Sequence, residues 1–533
     1  MNLFKNCATV STVLMGLAAL MLSACVSIET EEPSGYTYET APVAIYNADW
    51  SVIPLPNNLL NPVHQATIPV EIPGVEPPTA LPTTVDLPVV DAAGAEYAQK
   101  LGYPVQEDTD LTKALLAGQN KLDGFIPGII ARIPFSKKLD MTSVVPFDGN
   151  NADTANFFFF DVTDPENPEV VAPDTYYRIF NLEMLETPPY YLTVRMMGLS
   201  IEPRDYTPGH TYQVLMTGIS DAGVKDVDGN PVMPDGYFSL FASPDTFIGP
   251  KGTPRNNIVT GLENVQTLEG ARQITDWGLK IWEDVVGDAR VRNEVVVSYH
   301  YSIATNPMPK YMNATKAISK NAKAFLPKPI DYPSYDDNWV PQMIMADAAV
   351  DSDISFDIGL ALDTDTVTSD NLAVFAVSDA ALTPVATSIV VENPEEDQDG
   401  TVTITPDADL QCGTTYLVAL SNRVTGGPAH RPVVDESYFG LSRVNTPLVD
   451  ENGWLSPHLD SRVDTLIMTG KILDFDAADL EQAGATVMQV LTLIEAMRQH
   501  NGSYIDRLVA DEFVPASEDL ALMFTFTTVA CSN

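Results

Sequence analysis

The spacing of apolar positions changes period several times along the chain. Ala8 to Leu22 is a predominantly apolar stretch behind Lys5, too short for a permanent membrane-spanning helix. Farther on, short strand-like runs appear at Ile130 to Phe135, Phe157 to Val162, Ile354 to Leu362 and Leu372 to Val377. Two stretches switch to helical spacing. Val265, Leu268, Ile274, Trp277, Ile281 and Val285 form one stripe; Leu480, Ala483, Val487, Val490, Ile494 and Met497 form the other. Strict alternation follows each helix. Val295, Val297, Tyr299, Tyr301 and Ile303 share one strand face, as do Leu520, Leu522, Phe524 and Phe526.

These elements recur in the same order, so the chain reads as two copies of one unit. The first copy opens at Leu122-Asp123-Gly124-Phe125 and the second at Ile354. Pro208-Gly209-His210-Thr211-Tyr212 matches Cys412-Gly413-Thr414-Thr415-Tyr416, and Tyr237-Phe238 matches Tyr438-Phe439. The endings Tyr301 to Thr305 and Phe524 to Thr528 correspond. The fold class that follows is mainly β: tandem antiparallel β-sandwiches, each with an accessory amphipathic helix. The division along the chain is a leader at 1–24, an acidic tether at 25–45 and an extended segment at 46–120 that packs on the first repeat. The first repeat spans 121–326, a Pro-rich linker 327–340 (opening with Pro327 to Pro333), and the second repeat 341–533.

Composition narrows the partners. Among 533 residues there are 29 basic and 72 acidic side chains, a formal charge of −43. Such a surface repels phosphate backbones, which excludes nucleic acid as a partner. It also argues against electrostatic adhesion to anionic lipid. Forty-one prolines and 31 glycines fit many turns and short strands.

The leader ends in Leu22-Ser23-Ala24-Cys25, which resembles the bacterial lipobox. That resemblance implies cleavage before Cys25, diacylation of its thiol and acylation of its new amino group, with palmitate-type chains. Val26 and Ser27 lack the aspartate associated with inner-membrane retention, which points to the outer membrane, on its periplasmic face or at the cell surface. More than one acyl chain makes such an anchor stable. Cys7 lies in the leader, leaving Cys412 and Cys531 as the candidate disulfide of an oxidising compartment.

Two families share these motifs. Pro208 to Tyr212 followed by Asp226-Val227-Asp228-Gly229-Asn230 resembles SbsA-type bacterial Ig-like domains. Ile53 to Leu60, Ala66 to Val70, Leu268-Glu269-Gly270-Ala271-Arg272 and Phe526-Thr527-Thr528 resemble the N-terminal region of VolA-like extracellular (virulence-factor) lipases. Asn58 stands where that family usually has aspartate. In those lipases an α/β-hydrolase domain follows. This sequence closes at Asn533, so the catalytic half is expected to be absent.

The remaining candidate chemistry is sparse. Gly218-Ile219-Ser220-Asp221-Ala222 approaches a nucleophile elbow but has alanine at the last position and no helical pattern behind it, so it reads as a loop. Gly502-Ser503 reads as a helix cap. His64, His210, His300, His430, His458 and His500 are scattered and read as structural. Asp226, Asp228 and Asn230 offer calcium-type oxygen ligands, but Tyr237 occupies the place of the closing EF-hand acid, so a plain turn competes with a calcium site. No other cofactor is implied. Phe157 to Phe160 reads as a strand buried on both faces, and Pro188-Pro189-Tyr190-Tyr191 as edge packing.

The leading expectation is a lipid-anchored, non-catalytic binding or scaffold lipoprotein in a lipase-related context, with a protein, glycan or lipid ligand at the sandwich loops. The alternatives are a lipase or lysophospholipase relative, or a partner subunit of a separate hydrolase. A structural envelope or adhesin component is the third.

Overall fold

The computed structural model describes residues 41–46, 53–73, 120–127, 131–173, 177–181, 190–196, 206–255, 261–310, 344–378, 381–394, 400–435 and 480–530, with isolated shorter stretches between. The leader with Cys25, most of the tether and the Pro327 to Pro333 linker lie outside them.

The chain forms two units. The first is built mainly from residues 123–304 and the second from 305–472 and 479–533. The main segment of the first unit ends at Ala304. Pro309–Lys310 already pairs antiparallel with Ile354–Ile358 of the second unit.

In the first unit, β1 (Ala131–Phe135), β3 (Tyr177–Asn181) and β4 (Tyr190–Met196) form one sheet in the order β3-β4-β1, continued by the short strands Val43–Ala44 and Met233–Pro234. A second sheet runs Glu169–Val170, β2 (Phe157–Asp161), β5 (Thr211–Thr217) and β6 (Val295–Ser302). Helix α1 (Leu262–Val286) covers the outer face of that second sheet.

The side chains of β2 show why its sequence is unbroken phenylalanine. Phe157 and Phe159 meet Tyr177 of the first sheet, with ring centroids 6.0 and 4.9 Å apart. Phe158 points the other way and meets Trp282 of α1 at 5.7 Å. All four rings are fully buried. A middle layer has no solvent face, so period-two alternation disappears. Each ring contributes about 1.5–3 kcal/mol through burial.

The second unit repeats this plan. β8 (Ile354–Ile358), β10 (Thr387–Glu392) and β11 (Gly400–Pro406) pair in the order β10-β11-β8, then Pro309–Lys310. Its other sheet contains Leu382–Val385, β9 (Leu372–Val377), β12 (Thr415–Ser421), β13 (Leu520–Thr528) and β7 (Ile344–Ala348). Strand for strand, β10-β11-β8 corresponds to β3-β4-β1, and β9-β12-β13 to β2-β5-β6. β8 alternates buried and half-buried positions, as a strand covered on one face should, whereas the first four residues of β9 are all buried. The architecture is thus mainly β, in predominantly antiparallel sheets; Val43–Ala44 pairs parallel with Met233–Pro234, and β7 parallel with β13.

Three sequence readings change. The ends of the repeats align two residues later than the motif match suggested. Tyr212 faces Tyr301 across β5 and β6, while Tyr416 faces Phe526 across β12 and β13, so Tyr301 corresponds to Phe526. An aromatic–hydroxyl alternation looks the same after a two-residue slip, because the slip preserves the faces; only cross-strand partners fix the register. Gly502-Ser503 is not a cap. α2 (Leu480–Ala510) continues through both residues, because Ile505 and Leu508 beyond them are buried. Their burial outweighs the ~1 kcal/mol helix cost of glycine. Tyr190-Tyr191 does not lie on an edge: β4 sits between β3 and β1.

Candidate functional site

The N-terminal segment closes on the first unit through asparagines. Leu55 exchanges backbone hydrogen bonds with Arg132 of β1 at 2.7 and 3.0 Å. Asn57 caps the next turn by accepting from Leu59 N–H, and its Nδ2 donates to the Tyr46 hydroxyl. The Asn58 side chain accepts from Ser302 N–H at 2.9 Å and donates to Ser302 Oγ at 3.0 Å, clasping the end of β6. Asn61 caps the short helix Pro62–Gln65 by accepting from Val63 and His64 N–H. Asn57, Asn58 and Asn61 are all buried. Asparagine at position 58 therefore has a local reason: it both donates and accepts here, which an ionised aspartate cannot do.

The Pro62–Gln65 turn carries His64 to β6 and α1. Its ring lies 5.2 Å from His300 and 5.9 Å from Trp277, and Trp277 lies 4.9 Å from His300. Gln213 is the register partner of His300, and its Nε2 donates to Gly278 O at 2.8 Å and to Ser298 Oγ. A Cβ at position 278 would stand 3.1 Å from that Nε2, so a larger residue there would require the Gln213 amide to shift. Nε2 of His64, Nε2 of His300 and Oε1 of Gln213 are buried without hydrogen-bond partners. Burial pushes His64 down to about 4. Burial, with a smaller contribution from His64, holds His300 well below the ordinary histidine value. Both rings are neutral near pH 7, and a base this weak is poorly matched to proton abstraction there.

A second polar framework occurs once in each unit. Glu269 accepts from Phe247 N–H at 2.8 Å, from Arg272 Nε and Nη2 at 3.1 and 2.7 Å, and from Gln273 Nε2 at 2.9 Å. Glu495 accepts from Leu448 N–H at 2.8 Å, from Arg498 Nε and Nη2 at 2.9 and 2.7 Å, and from Gln499 Nε2 at 2.9 Å. Burial raises both carboxyls, but these donors outweigh it and hold each below the ordinary glutamate value. The tyrosine turns repeat as well: Tyr212 Oη accepts from Thr207 N–H, and Tyr416 Oη from Gln411 N–H. So do the hydroxyl pairs, Thr211 with Ser302 at 2.8 Å and Thr415 with Thr527 at 2.9 Å. These groups hold strands and helix together in both copies.

The other candidates are dispersed. Ser220 lies in a turn after β5 in which Gly223 N–H donates to Ser220 O; the next helix, Gly236–Phe241, begins well beyond it. Gly218 is glycine because a Cβ there would collide with Val232 O. Ser503 is exposed on α2. His210 pairs with Asp161 at 2.6 Å and His430 with Asp363 at 2.9 Å. No serine or cysteine side chain bonds to either imidazole among the described residues. His500 Nε2 meets Thr525 Oγ1 at 2.9 Å, and His458 lies outside the described residues. Cys412 is disulfide-bonded and precedes β12; its neighbour Gly413 donates to Val529 O at 2.8 Å. Cys531, its expected partner, lies outside the described residues.

Asp226, Asp228 and Asn230 do come together, as a self-contained turn. The buried Asp226 carboxylate accepts from Asp228 N–H, Asn230 N–H and Asn230 Nδ2 at 2.7–3.2 Å. Lys137 Nζ lies 3.8 Å from it. A calcium ion there would have to displace these donors. Asp226→Ala is expected to lower stability by about 1–3 kcal/mol by orphaning them. Calcium and chelator are expected to give the same melting midpoint for the unaltered protein, and a calcium-dependent rise would contradict the turn reading.

No protein-family model matches the chain, and no curated protein matches it.

Several of these residues carried a signal that motif reading passed over. Ile494-Glu495-Ala496-Met497-Arg498-Gln499 mirrors Leu268-Glu269-Gly270-Ala271-Arg272-Gln273. Asn58, Gln213 and the His64–His300 contact carried none, because their partners are remote in the chain.

Proposed function

We propose that this protein is a lipid-anchored outer-membrane lipoprotein acting as a non-catalytic binding or scaffold module of tandem Ig-like sandwiches. The observation that carries the reading is Leu22-Ser23-Ala24-Cys25 at the end of an apolar run behind a single basic residue. The anchor is the acylated Cys25, and the ligand is a protein, glycan or lipid met by loops at the sandwich ends. The duplicated framework supports the non-catalytic part. Its conspicuous polar groups, Glu269–Arg272 and Glu495–Arg498, tie backbone to helix in the same way twice. The buried histidines are neutral core residues.

Cys25→Ser is expected to abolish incorporation of labelled palmitate and to release the protein from the outer-membrane fraction. Palmitate retained in the variant, or no label in the unaltered protein, would count against an anchor at Cys25.

A second reading, a partner of a separate hydrolase, is favoured by the lipase-like Ile53 to Leu60 segment. A fluorophosphonate probe tests for activity in this chain: labelling together with ester turnover would overturn the non-catalytic reading.

A further inference from the structure

Three arginines of the described residues are buried: Arg132, Arg272 and Arg290. Arg272 is paired with Glu269 at 2.7 Å and Arg290 with Glu294 at 3.1 Å. Among the described residues Arg132 has no carboxylate within ion-pair distance. It is 9% exposed, and its Nη1 is fully enclosed without a hydrogen-bond acceptor. Its guanidinium lies over the Tyr191 ring, 5.4 Å from the centroid. An aromatic face favours a cation but accepts none of its N–H donors.

The strand pattern places this group on the face opposite the core. On β1, Ala131, Ile133 and Phe135 are the fully buried alternate set of the hydrophobic core, so Arg132 and Pro134 point the other way. Across β4, the register partners of Arg132 and Pro134 are Thr193 and Tyr191. Leu55 brackets Arg132 from the other side through its backbone. The strand positions are thus pinned by hydrogen bonds on both flanks.

A buried guanidinium without a counter-charge is costly, and buried charges in folded proteins are normally paired. Its planar fork matches a carboxylate or phosphate oxygen pair. We infer that Arg132, shelved on Tyr191, is the anchor of a binding site for a small oxyanion, a phosphate- or carboxylate-bearing ligand. The site does not depend on lipid anchoring.

The test is a titration of the intact protein with inorganic phosphate and, separately, acetate, followed by melting temperature and by phosphorus NMR line width. The expected result is a saturable rise in the melting temperature of the first transition. Each tenfold increase above the Kd adds about 3–5 °C. The response should be lost in Arg132→Met. Arg132→Lys keeps the charge without the fork and should bind about tenfold more weakly, with correspondingly less broadening of the phosphate resonance. A response to phosphate alone identifies a phosphate site, and a response to acetate alone a carboxylate site; either supports the inference. No saturable response to either anion in the unaltered protein overturns it. So does an undiminished response in Arg132→Met. Should that variant not fold, phosphate broadening in Arg132→Lys equal to that of the unaltered protein overturns it as well.

Discussion

Glu269→Ala is expected to destabilise the first unit by about 3–5 kcal/mol, among the largest losses available to one substitution outside the apolar core. The carboxylate is 1% exposed and is the common acceptor for Phe247 N–H, Arg272 and Gln273. Removing it leaves the Arg272 guanidinium buried without its counter-charge, and the orphaned charge costs more than the lost attraction. The double variant Glu269→Ala/Arg272→Met should therefore be more stable than the single one, since it removes both charges and restores apolar volume. Urea denaturation of the three proteins measures this. A single-variant loss below about 1 kcal/mol, or a double variant worse than the single, would show that the pair is peripheral. Glu495→Ala should produce the same pattern in the second unit, because Arg498 and Gln499 surround it in the same way.

Acidification between about pH 6.5 and 4 is expected to weaken the first unit through His64 and His300. The unfolded chain takes up protons on these side chains below about 6.5. The folded chain does not, because burial lowers His64 to about 4 and holds His300 well below its usual value. The unfolded state then binds more protons, so stability is fully present above about 6.5 and falls as pH falls, by about 1.4 kcal/mol per unit for each histidine. Over that window His64 alone removes roughly 3 kcal/mol, and His300 acts in the same direction. Other effects oppose this. Neutralising carboxylates in a chain of net charge −43 relieves repulsion, so the unaltered protein's curve is a sum of both trends. The informative quantity is a difference: urea midpoints for the unaltered protein and His300→Gln at several pH values. The variant should lose less stability on acidification. Parallel curves would mean that His300 is protonated in the folded state, contrary to its enclosure.

Much of the architecture was legible from periodicity. Val265 to Val285 and Leu480 to Met497 announced helices, and Phe157 to Phe160 announced a strand buried on both faces. The doubled order of elements announced two similar units. The end of the second helix was misread because Gly502 is a local stop signal, whereas Ile505 and Leu508 act through burial against distant strands. The candidate site was less legible. His64 and His300 are separated by most of the first unit's sequence, and neither is marked by its neighbours. Arg132 sits in an otherwise apolar strand, and only the fold shows that no acid among the described residues reaches it.

By itself the sequence determined the element types, the two-copy plan, the acidic surface and the lipobox-like Cys25 motif. Each is a property of neighbouring residues: which side chains alternate, how charges sum, and what precedes a cysteine. Tertiary structure decided the sheet order, the two-residue register between Tyr301 and Phe526, and the enclosure of Asn58, Gln213, His300 and Arg132. The reason is physical. A period records that a face is covered but not by what, and a strand slipped by two residues hides the same side chains. Partners such as Asn58 and Ser302, 244 residues apart, are chosen only when the whole chain packs.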